Sequence, residues 1–391
     1  MKNFKEMTEI VHGIDAIQYL ERFKNKRACI VTDPTMVQLK VVDRVTEIFD
    51  RNKIDYDVFS EVEPDPSFGV VYKGLNHIIK NKPELLIAVG GGSAIDAAKA
   101  IMYFCIKIKE SLLDTQEIPK PFFIAIPTTS GTGSEVTAYS VITDKEKNIK
   151  IPIIDSLMVP DVAILDPIFT KTIPSHVTAD TGIDVLTHCV EAYVSKDASD
   201  FTDALVEKAT VQVFRYLPVA YKDGSNMEAR EKLHNASCMA GIAFTNAGLG
   251  INHSMAHSLG SHFKMSHGRS NAILMPYIIA FNSKGQDKTG YNPAAVKYAE
   301  LAKYIGLPNS TVETGVLGLI EAIKVMKIAM GIPATIKEAG VDRESFMNSL
   351  DEISAMALED ICTSSNPKKV SKEDIKNIYL EAYDRNSGLS F

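Results

Sequence analysis

Between residues 28 and 165 the chain repeats one pattern: a short apolar run, a turn, a stretch with helical spacing, then another short apolar run. The runs are Ala28–Thr32 (ACIVT), Tyr56–Phe59, Leu85–Val89 (LLIAV), Phe122–Ile126 (FFIAI) and Val162–Leu165. Short runs rich in Val, Ile and Phe and bounded by turn residues read as strands. Helical spacing appears at Val41, Val42, Val45, Ile48 and Phe49, and again over Ala94–Phe104. Strands alternating with helices imply parallel pairing, because each return to the sheet needs a crossover. The expected fold of this half is a doubly wound, Rossmann-like α/β domain.

Beyond about Thr178 the pattern changes. Thr202–Leu217, Met227–Phe244 and Val312–Met330 carry a period near ~3.6 residues, and β-rich runs all but vanish. An all-helical second domain follows. Proline marks the seam near Ile173-Pro174-Ser175, so the expected domains are 1–175 and 176–391.

Composition excludes several classes of function. A net charge of -7 supplies no basic field for nucleic acid or anionic lipid. No apolar run reaches the ~20 residues that a membrane helix needs. Five cysteines are scattered without a C-x-x-C pair, which points to a reducing compartment rather than a disulfide framework. MKNFKEMTEIVHG has neither an apolar core nor a small-residue cleavage site, so the expected location is the cytoplasm.

Two polar loops follow the third and fourth runs. Residues 85–99 read LLIAVGGGSAIDAAK, in which Gly90, Gly91 and Gly92 separate a strand from a helix. Glycines allow close approach of the backbone to an anion, and the helix N-terminus adds free N–H groups and a positive dipole end. The spacing is not G-x-G-x-x-G, and Ser93 with Asp96 reads equally well as a capping box. The second loop, IPTTSGTGSE, places the hydroxyls of Thr128, Thr129, Ser130 and Thr132 at a strand's carboxyl end. Open α/β sheets bind ligands at that edge, and two such loops together favour a dinucleotide site. Asp33, in VTDP, reads either as an acceptor for ribose hydroxyls or as a plain Asp-Pro turn opener.

The second domain concentrates carboxylate and imidazole groups. Asp184 and His188 stand i,i+4 on a strongly apolar helical stretch, GIDVLTHCVEAYVS. His253 and His257 repeat that spacing in NHSMAHSLG, and His267 follows just before Gly268. Residues four apart share a helix face, and a buried carboxylate requires a partner or a cation. An Asp/His set without thiolate fits a first-row divalent metal such as Fe²⁺, Zn²⁺, Mn²⁺ or Co²⁺. Spacing does not decide which of His253, His257 and His267 are ligands. His262 is out of step with these, and His12, His77, His176 and His234 have no sequence neighbours that suggest chemistry.

GGGSAIDAAKA, PTTSGTGSEVT, TGIDVLTHCVEAYVS and GLGINHSMAHSLGSHFKMSHG, in this order, resemble the iron-containing (group III) alcohol dehydrogenase family over nearly the whole chain. FSEVEPDP, ASDFTDALVEKA and LHNASCMAGIAFTNAGLG look like the branch of that family with the propanol dehydrogenase of bacterial propanediol utilisation. The resemblance implies a dehydroquinate-synthase-like architecture, with an α/β NAD-binding domain followed by an all-helical metal-binding domain. It implies metal ligation by Asp184, His188, His253 and His267, and places His257 on the substrate and nicotinamide side. It assigns Gly90, Gly91, Gly92 and Ser93 to the pyrophosphate, with Asp96 beside them, and Thr128, Thr129 and Thr132 to the cofactor site. Lys150 matches a lysine that reaches toward the cofactor, and Asp33 matches an acidic position that goes with NAD rather than NADP.

The implied activity is the interconversion of short-chain alcohols and aldehydes with NAD(H), using Fe²⁺ with Zn²⁺ as the alternative metal. The implied assembly is a homodimer or larger homo-oligomer, with a bacterial microcompartment as a further location. Two positions depart from the family pattern: Ser266 stands where proline is common, and Arg269 where an apolar residue is frequent. The rival readings are a glycerol or diol dehydrogenase of the same superfamily, and a non-catalytic assembly protein that retains the fold.

Overall fold

The computed structural model describes residues 3–113, 120–146, 149–285, 290 and 292–384, and the chain divides into two compact units that meet in sequence at Ile173 and Pro174.

The first unit is built on strands β1 (Glu9–His12), β2 (Arg27–Val31), β3 (Asp55–Phe59), β4 (Leu85–Gly90), β5 (Phe122–Pro127), β6 (Tyr139–Asp144), β7 (Ile149–Ile154) and β8 (Val162–Leu165). Its helices are α1 (Pro34–Gln38), α2 (Asp43–Asn52), α3 (Phe68–Asn81) and α4 (Gly92–Leu113). Six strands form one sheet in the order β1-β8-β5-β4-β2-β3, with every pair parallel. Both faces are covered, which explains why the strands read as continuous apolar runs rather than alternating ones. Ala28, Ile30, Leu85, Ile87, Val89, Ile124 and Ile126 pack on one face against α2. Cys29, Val31, Leu86, Ala88, Phe123 and Ala125 pack on the other against α3 and α4.

The order reverses between β2 and β4. Connections from β2 run outward to β3, whereas those from β4 run the other way to β5. The carboxyl ends of β2 and β4 therefore flank a topological switch point, where sheets of this kind bind their ligands. The doubly wound expectation holds. Three details differ from it. The helical pattern over Val41–Phe49 is α2 with Val42 as its N-cap, and a separate short helix, α1, capped by Asp33, precedes it across a turn at Lys40 with φ 56°. β1 and the antiparallel hairpin β6–β7 carried no strand signal, because β1 is a half-exposed edge of four residues and no residue of β7 is buried.

The second unit consists of α5 (Ser175–Val194), α6 (Asp200–Lys222), α7 (Met227–Ala247), α8 (Ile251–Phe263), α9 (His267–Ser283), α10 (Pro293–Tyr304), α11 (Val312–Ala329), α12 (Arg343–Glu359) and α13 (Lys372–Asp384). Helix α5 is buried on every side from Gly182 to Val194. One core joins it to α6, α7, α9, α10 and α11, and a second joins α8 and α9 to α12 and α13. Among the described residues no helix is long and apolar enough to cross a membrane.

Helix α9 lies so close to α5 that a Cβ on Gly268 would overlap the backbone carbonyl of Asp180. Backbone cannot yield as a side-chain tip does. Gly268→Ala is therefore expected to destabilise the chain by ~1–3 kcal/mol in thermal or urea unfolding. Gly318→Ala on α11 meets nothing nearer than 3.6 Å; it should be neutral or stabilising by up to ~1 kcal/mol.

Candidate functional site

Helix α5 supplies Asp184, His188 and Glu191 to the interior of the helical unit, all three buried. Helix α8 brings His253 and His257 one turn apart, and His267 opens α9. Ligand atoms of Asp184, His188, His253 and His267 all lie within 4.8 Å of one another. His253 Nε2 and His267 Nε2 stand 3.8 and 3.4 Å from Asp184 Oδ1. The His188 and His253 rings stack with centroids 4.7 Å apart.

Asn271 shows where the lone pairs point. Its Nδ2 lies 2.8 Å from Asp184 Oδ1, 3.1 Å from His267 Nε2 and 3.3 Å from His253 Nε2. One amide nitrogen thus faces three acceptors. Asn252 Nδ2 in turn donates to Asn271 Oδ1 at 2.8 Å, which fixes that amide's orientation. On the far side of its ring, His253 Nδ1 contacts the Glu191 carboxyl group, which also accepts the backbone N–H groups of Asn252 and His253. With Glu191 ionised, the network puts the proton of His253 on Nδ1 and leaves Nε2 as an acceptor facing the Asn271 amide. A carboxylate behind a metal-binding imidazole is the arrangement that fixes tautomer and raises ligand basicity.

Burial sets the charges. It pushes the Asp184 carboxyl group above the usual range, against the pull of the neighbouring His188. It holds His253 well below 6.5, with the surrounding histidines acting the same way. Burial also pushes Glu191 up to about 8, opposed by backbone N–H groups of Asn252, His253 and Gly250. A cation among the four donors acts in the same direction as those N–H groups. It favours the Asp184 and Glu191 carboxylates and suits neutral imidazoles.

His257 stands beside this set with a different partner. Its Nδ1 lies 2.8 Å from Asp360 Oδ2, and its side chain is 40% exposed. Asp360 also accepts the backbone N–H of Cys362 at 2.8 Å and faces Ser254 Oγ at 3.3 Å. The His257 and His267 rings are stacked at 5.2 Å. A carboxylate on Nδ1 leaves Nε2 for a reacting group, the orientation a proton-relaying imidazole needs. His262 points away and contacts Ser349 Oγ at 2.7 Å.

In the α/β unit the two polar loops meet. A Cβ on Gly91 would come within 3.3 Å of Thr129 Oγ1, and one on Gly92 within 2.8 Å of Thr132 Cγ2. Gly90 takes φ 156°, where a side chain is strained. Thr128 is buried and its N–H donates to the Gly90 carbonyl at 2.9 Å. Asp33 serves as N-cap of α1 through Oδ1, which accepts from Thr35 and Met36 N–H at 2.8 and 3.1 Å. Its Oδ2 lies on the Gly90 side, so the capping role does not consume the carboxylate.

The capping box is absent. Helix α4 already includes Gly92, Ser93 Oγ accepts from Asp65 N–H at 3.3 Å, and Asp96 turns inward. Asp96 accepts from Ser134 Oγ at 2.7 Å and from Val141 N–H at 3.0 Å, so it braces the second loop from below. Lys150 pairs with Asp65 at 2.6 Å, which leaves it one residue removed from the glycine loop.

Sequence reasoning missed the groups that hold these residues. Lys99 is fully buried, and its ammonium donates to Ser134 O, Ser134 Oγ, Thr137 Oγ1 and Tyr139 O at 2.6–3.0 Å. Burial lowers it to about 8 despite Asp96. Glu191 shares the apolar helix of Asp184 and His188, and its place there was the available signal. Asp360 had none, since His257 lies 103 residues away, and Asn271 stands i,i+4 from His267 but meets Asp184 only across 87 residues of chain. The departures Ser266 and Arg269 share one partner: Asp180 accepts from Ser266 Oγ at 2.7 Å and pairs with Arg269 at 3.4 Å.

Loss of the Glu191 charge should be felt at the four donors without removing any of them. Glu191→Gln is expected to weaken retention of a divalent ion by ~10–100-fold in a chelator competition assay. Wild-type retention in that assay would exclude the role assigned to Glu191.

Comparison with known proteins gives the family. Residues 8–167 match the model of the iron-containing alcohol dehydrogenase family, and 178–383 match that of the Fe-containing alcohol dehydrogenase family, C-terminal. An aldehyde-alcohol dehydrogenase of Streptococcus pneumoniae serotype 2 is 42% identical over 94% of this chain, which spans only 44% of that protein's length. The NADPH-dependent butanol dehydrogenase of Clostridium saccharobutylicum is 41% identical over 98% of both chains. The 1-propanol dehydrogenase PduQ of Citrobacter freundii is 39% identical over 97% of this chain and 100% of its own. Among solved structures, a 1,3-propanediol oxidoreductase superposes with a TM-score of 0.88 at 32% identity, covering 98% of this chain and 100% of that one. The sulfoacetaldehyde reductase of Bifidobacterium kashiwanohense, in complex with NAD+, superposes at 0.85 with 26% identity, covering 99% and 100%. With both family models matched in order over most of its length and the same fold in its solved relatives, this chain belongs to the iron-containing alcohol dehydrogenase family.

Proposed function

We propose that the chain is an NAD-linked, metal-dependent alcohol dehydrogenase that interconverts short-chain primary alcohols and aldehydes, from ethanol through 1-propanol to butanol. In the cell it works as an aldehyde reductase in fermentation. The observation that carries this reading is the convergence of one buried carboxylate and three imidazoles within 4.8 Å. That donor set fits a first-row divalent ion, and the family favours Fe²⁺, with Zn²⁺ as the alternative. When bound, the ion supplies Lewis-acid chemistry that lowers the alcohol O–H pKa and polarises the aldehyde carbonyl.

The chain's own residues do the rest. Asp184, His188, His253 and His267 hold the ion, while Glu191 and Asn271 fix their orientation. His257, aligned by Asp360 through Nδ1, uses Nε2 to pass the hydroxyl proton to solvent or to orient the substrate. In the α/β unit, the backbone of Gly90–Ser93 and the N-terminus of α4 bind the pyrophosphate of NAD. Thr128, Thr129 and Thr132 line the same site, and Lys150 of the hairpin stands beside it through Asp65, whose N–H meets Ser93 Oγ. Asp33 accepts the adenosine ribose hydroxyls and repels a 2′-phosphate. The partners are small alcohols and aldehydes, and the assembly is a homodimer or larger, in the cytoplasm or inside a microcompartment. The structural likeness to a 1,3-propanediol oxidoreductase makes diols the second substrate class to assay.

Anaerobic purification, metal analysis and assay of ethanol, 1-propanol, butanol, 1,2-propanediol and 1,3-propanediol with NAD and NADP test the reading. NADH formation with the monoalcohols is expected; preference for diols or for NADP would overturn the corresponding part. His257→Gln should lower kcat by ~10²-fold or more while bound metal stays at the wild-type level. Loss of metal would make His257 a ligand instead. Asp33→Ser should lower KM for NADP by about tenfold or more, as a carboxylate no longer faces the phosphate.

A further inference from the structure

A second group of metal-ligating side chains lies in the α/β unit, away from the two polar loops. Cys29 on β2 and Asp57 on β3 are direct register partners in adjacent parallel strands, so their side chains leave the same face of the sheet. Helix α3 brings His77 onto them. The Cys29 sulfur, an Asp57 oxygen and a His77 nitrogen lie within 4.8 Å of one another. Asn81, one turn further along α3, approaches with Nδ2 3.1 Å from His77 Nε2.

Protons alone satisfy this group poorly. His77 Nε2 contacts both Asp57 Oδ1 and the Asn81 amide. One ring nitrogen cannot donate to a carboxylate and accept from an amide at the same time. Turning the Asn81 amide over leaves two oxygens sharing one N–H. The other carboxylate oxygen, Asp57 Oδ2, is buried and meets no donor better than a thiol. A cation resolves every conflict together. It takes the His77 lone pair, the Asp57 carboxylate, the Cys29 thiolate and the Asn81 carbonyl.

We propose that Cys29, Asp57 and His77, with Asn81 Oδ1 or a water in fourth place, form a second divalent-metal site of the zinc class that clamps edge strand β3 to helix α3. One sulfur, one imidazole nitrogen and one carboxylate oxygen form a mixed donor set that Zn²⁺ accepts in tetrahedral geometry. Binding releases the Cys29 proton to solvent. The side chains of His77 and Asp57 keep 28% and 20% exposure, which provides an entry path from solvent. Nothing in this site is shared with the Asp184 cluster, which contains no sulfur.

That difference makes the test direct. Co²⁺ bound by a thiolate gives a charge-transfer absorption in the near ultraviolet, and Co²⁺ on carboxylate and imidazoles does not. Full-length metal-free chain titrated with Co²⁺ is expected to take up two ions per chain and develop the band. Asp184→Ala should lose one ion and keep the band. Cys29→Ser and His77→Gln should each lose the band and one ion. The His77 variant sits at a part-exposed position, which guards against a Cys29 variant that fails to fold. Uptake of a single ion without the band would overturn the proposal. So would a band that survives in both variants and vanishes in Cys362→Ser, because Cys362 lies beside His257 and Asp360.

Discussion

The interaction on which the helical unit depends is between a carboxylate and the imidazoles that surround it in an apolar interior. Helix α5 buries Asp184, His188 and Glu191 among residues such as Ile183, Leu186 and Val190. An uncompensated buried charge costs several kcal/mol, so the neighbouring helices must answer it. They do so with His253 and Asn252 from α8 and with His267 and Asn271 from α9. These two helices are set by backbone-level packing as well, since Gly268 lets α9 rest on the Asp180 carbonyl. The fold therefore delivers the donors to within 4.8 Å of one another through rigid helices rather than loops. Rigid placement of this kind gives a site its geometric precision.

The α/β unit solves a different problem. Its glycine loop and its hydroxyl-rich loop must lie side by side at the sheet edge, and neither has a core of its own. Lys99 and Asp96, both on α4, reach under the second loop and hold Ser134, Thr137, Tyr139 and Val141. The buried ammonium is satisfied by four oxygens, so its desolvation is offset by hydrogen bonds rather than by a single ion pair. The surface left above is backbone N–H groups, threonine hydroxyls and Asp33 at the switch point of the sheet.

Much of this was legible in the sequence where period and burial coincide. Four of the five apolar runs became the central strands β2, β4, β5 and β8, because both faces of a parallel sheet are covered, and the fifth became edge strand β3. Tertiary support decided what was illegible. β1 is recruited by pairing with β8, and β7 by pairing with β6, since neither segment has an apolar signature strong enough to stand alone. For the site, i,i+4 spacing gave Asp184 with His188 but could not separate His253, His257 and His267. In the structure Glu191 lies behind the His253 ring and Asp360 behind that of His257, which favours different roles for the two. Those partners are 62 and 103 residues away, beyond any local pattern. Asp96 shows the opposite failure, because a convincing local motif, the capping box, lost to long-range bonds with Ser134 and Val141.

In the proposed site Asp184, His188, His253 and His267 ligate one ion and His257 does not. Anomalous diffraction at the iron edge from anaerobic, Fe²⁺-loaded crystals tests it most directly. A peak is expected at ~2.0–2.3 Å from one atom of each of those four residues, with His257 outside the coordination shell. A peak ligated by His257 in place of His267, or no peak among the four donors, would contradict it.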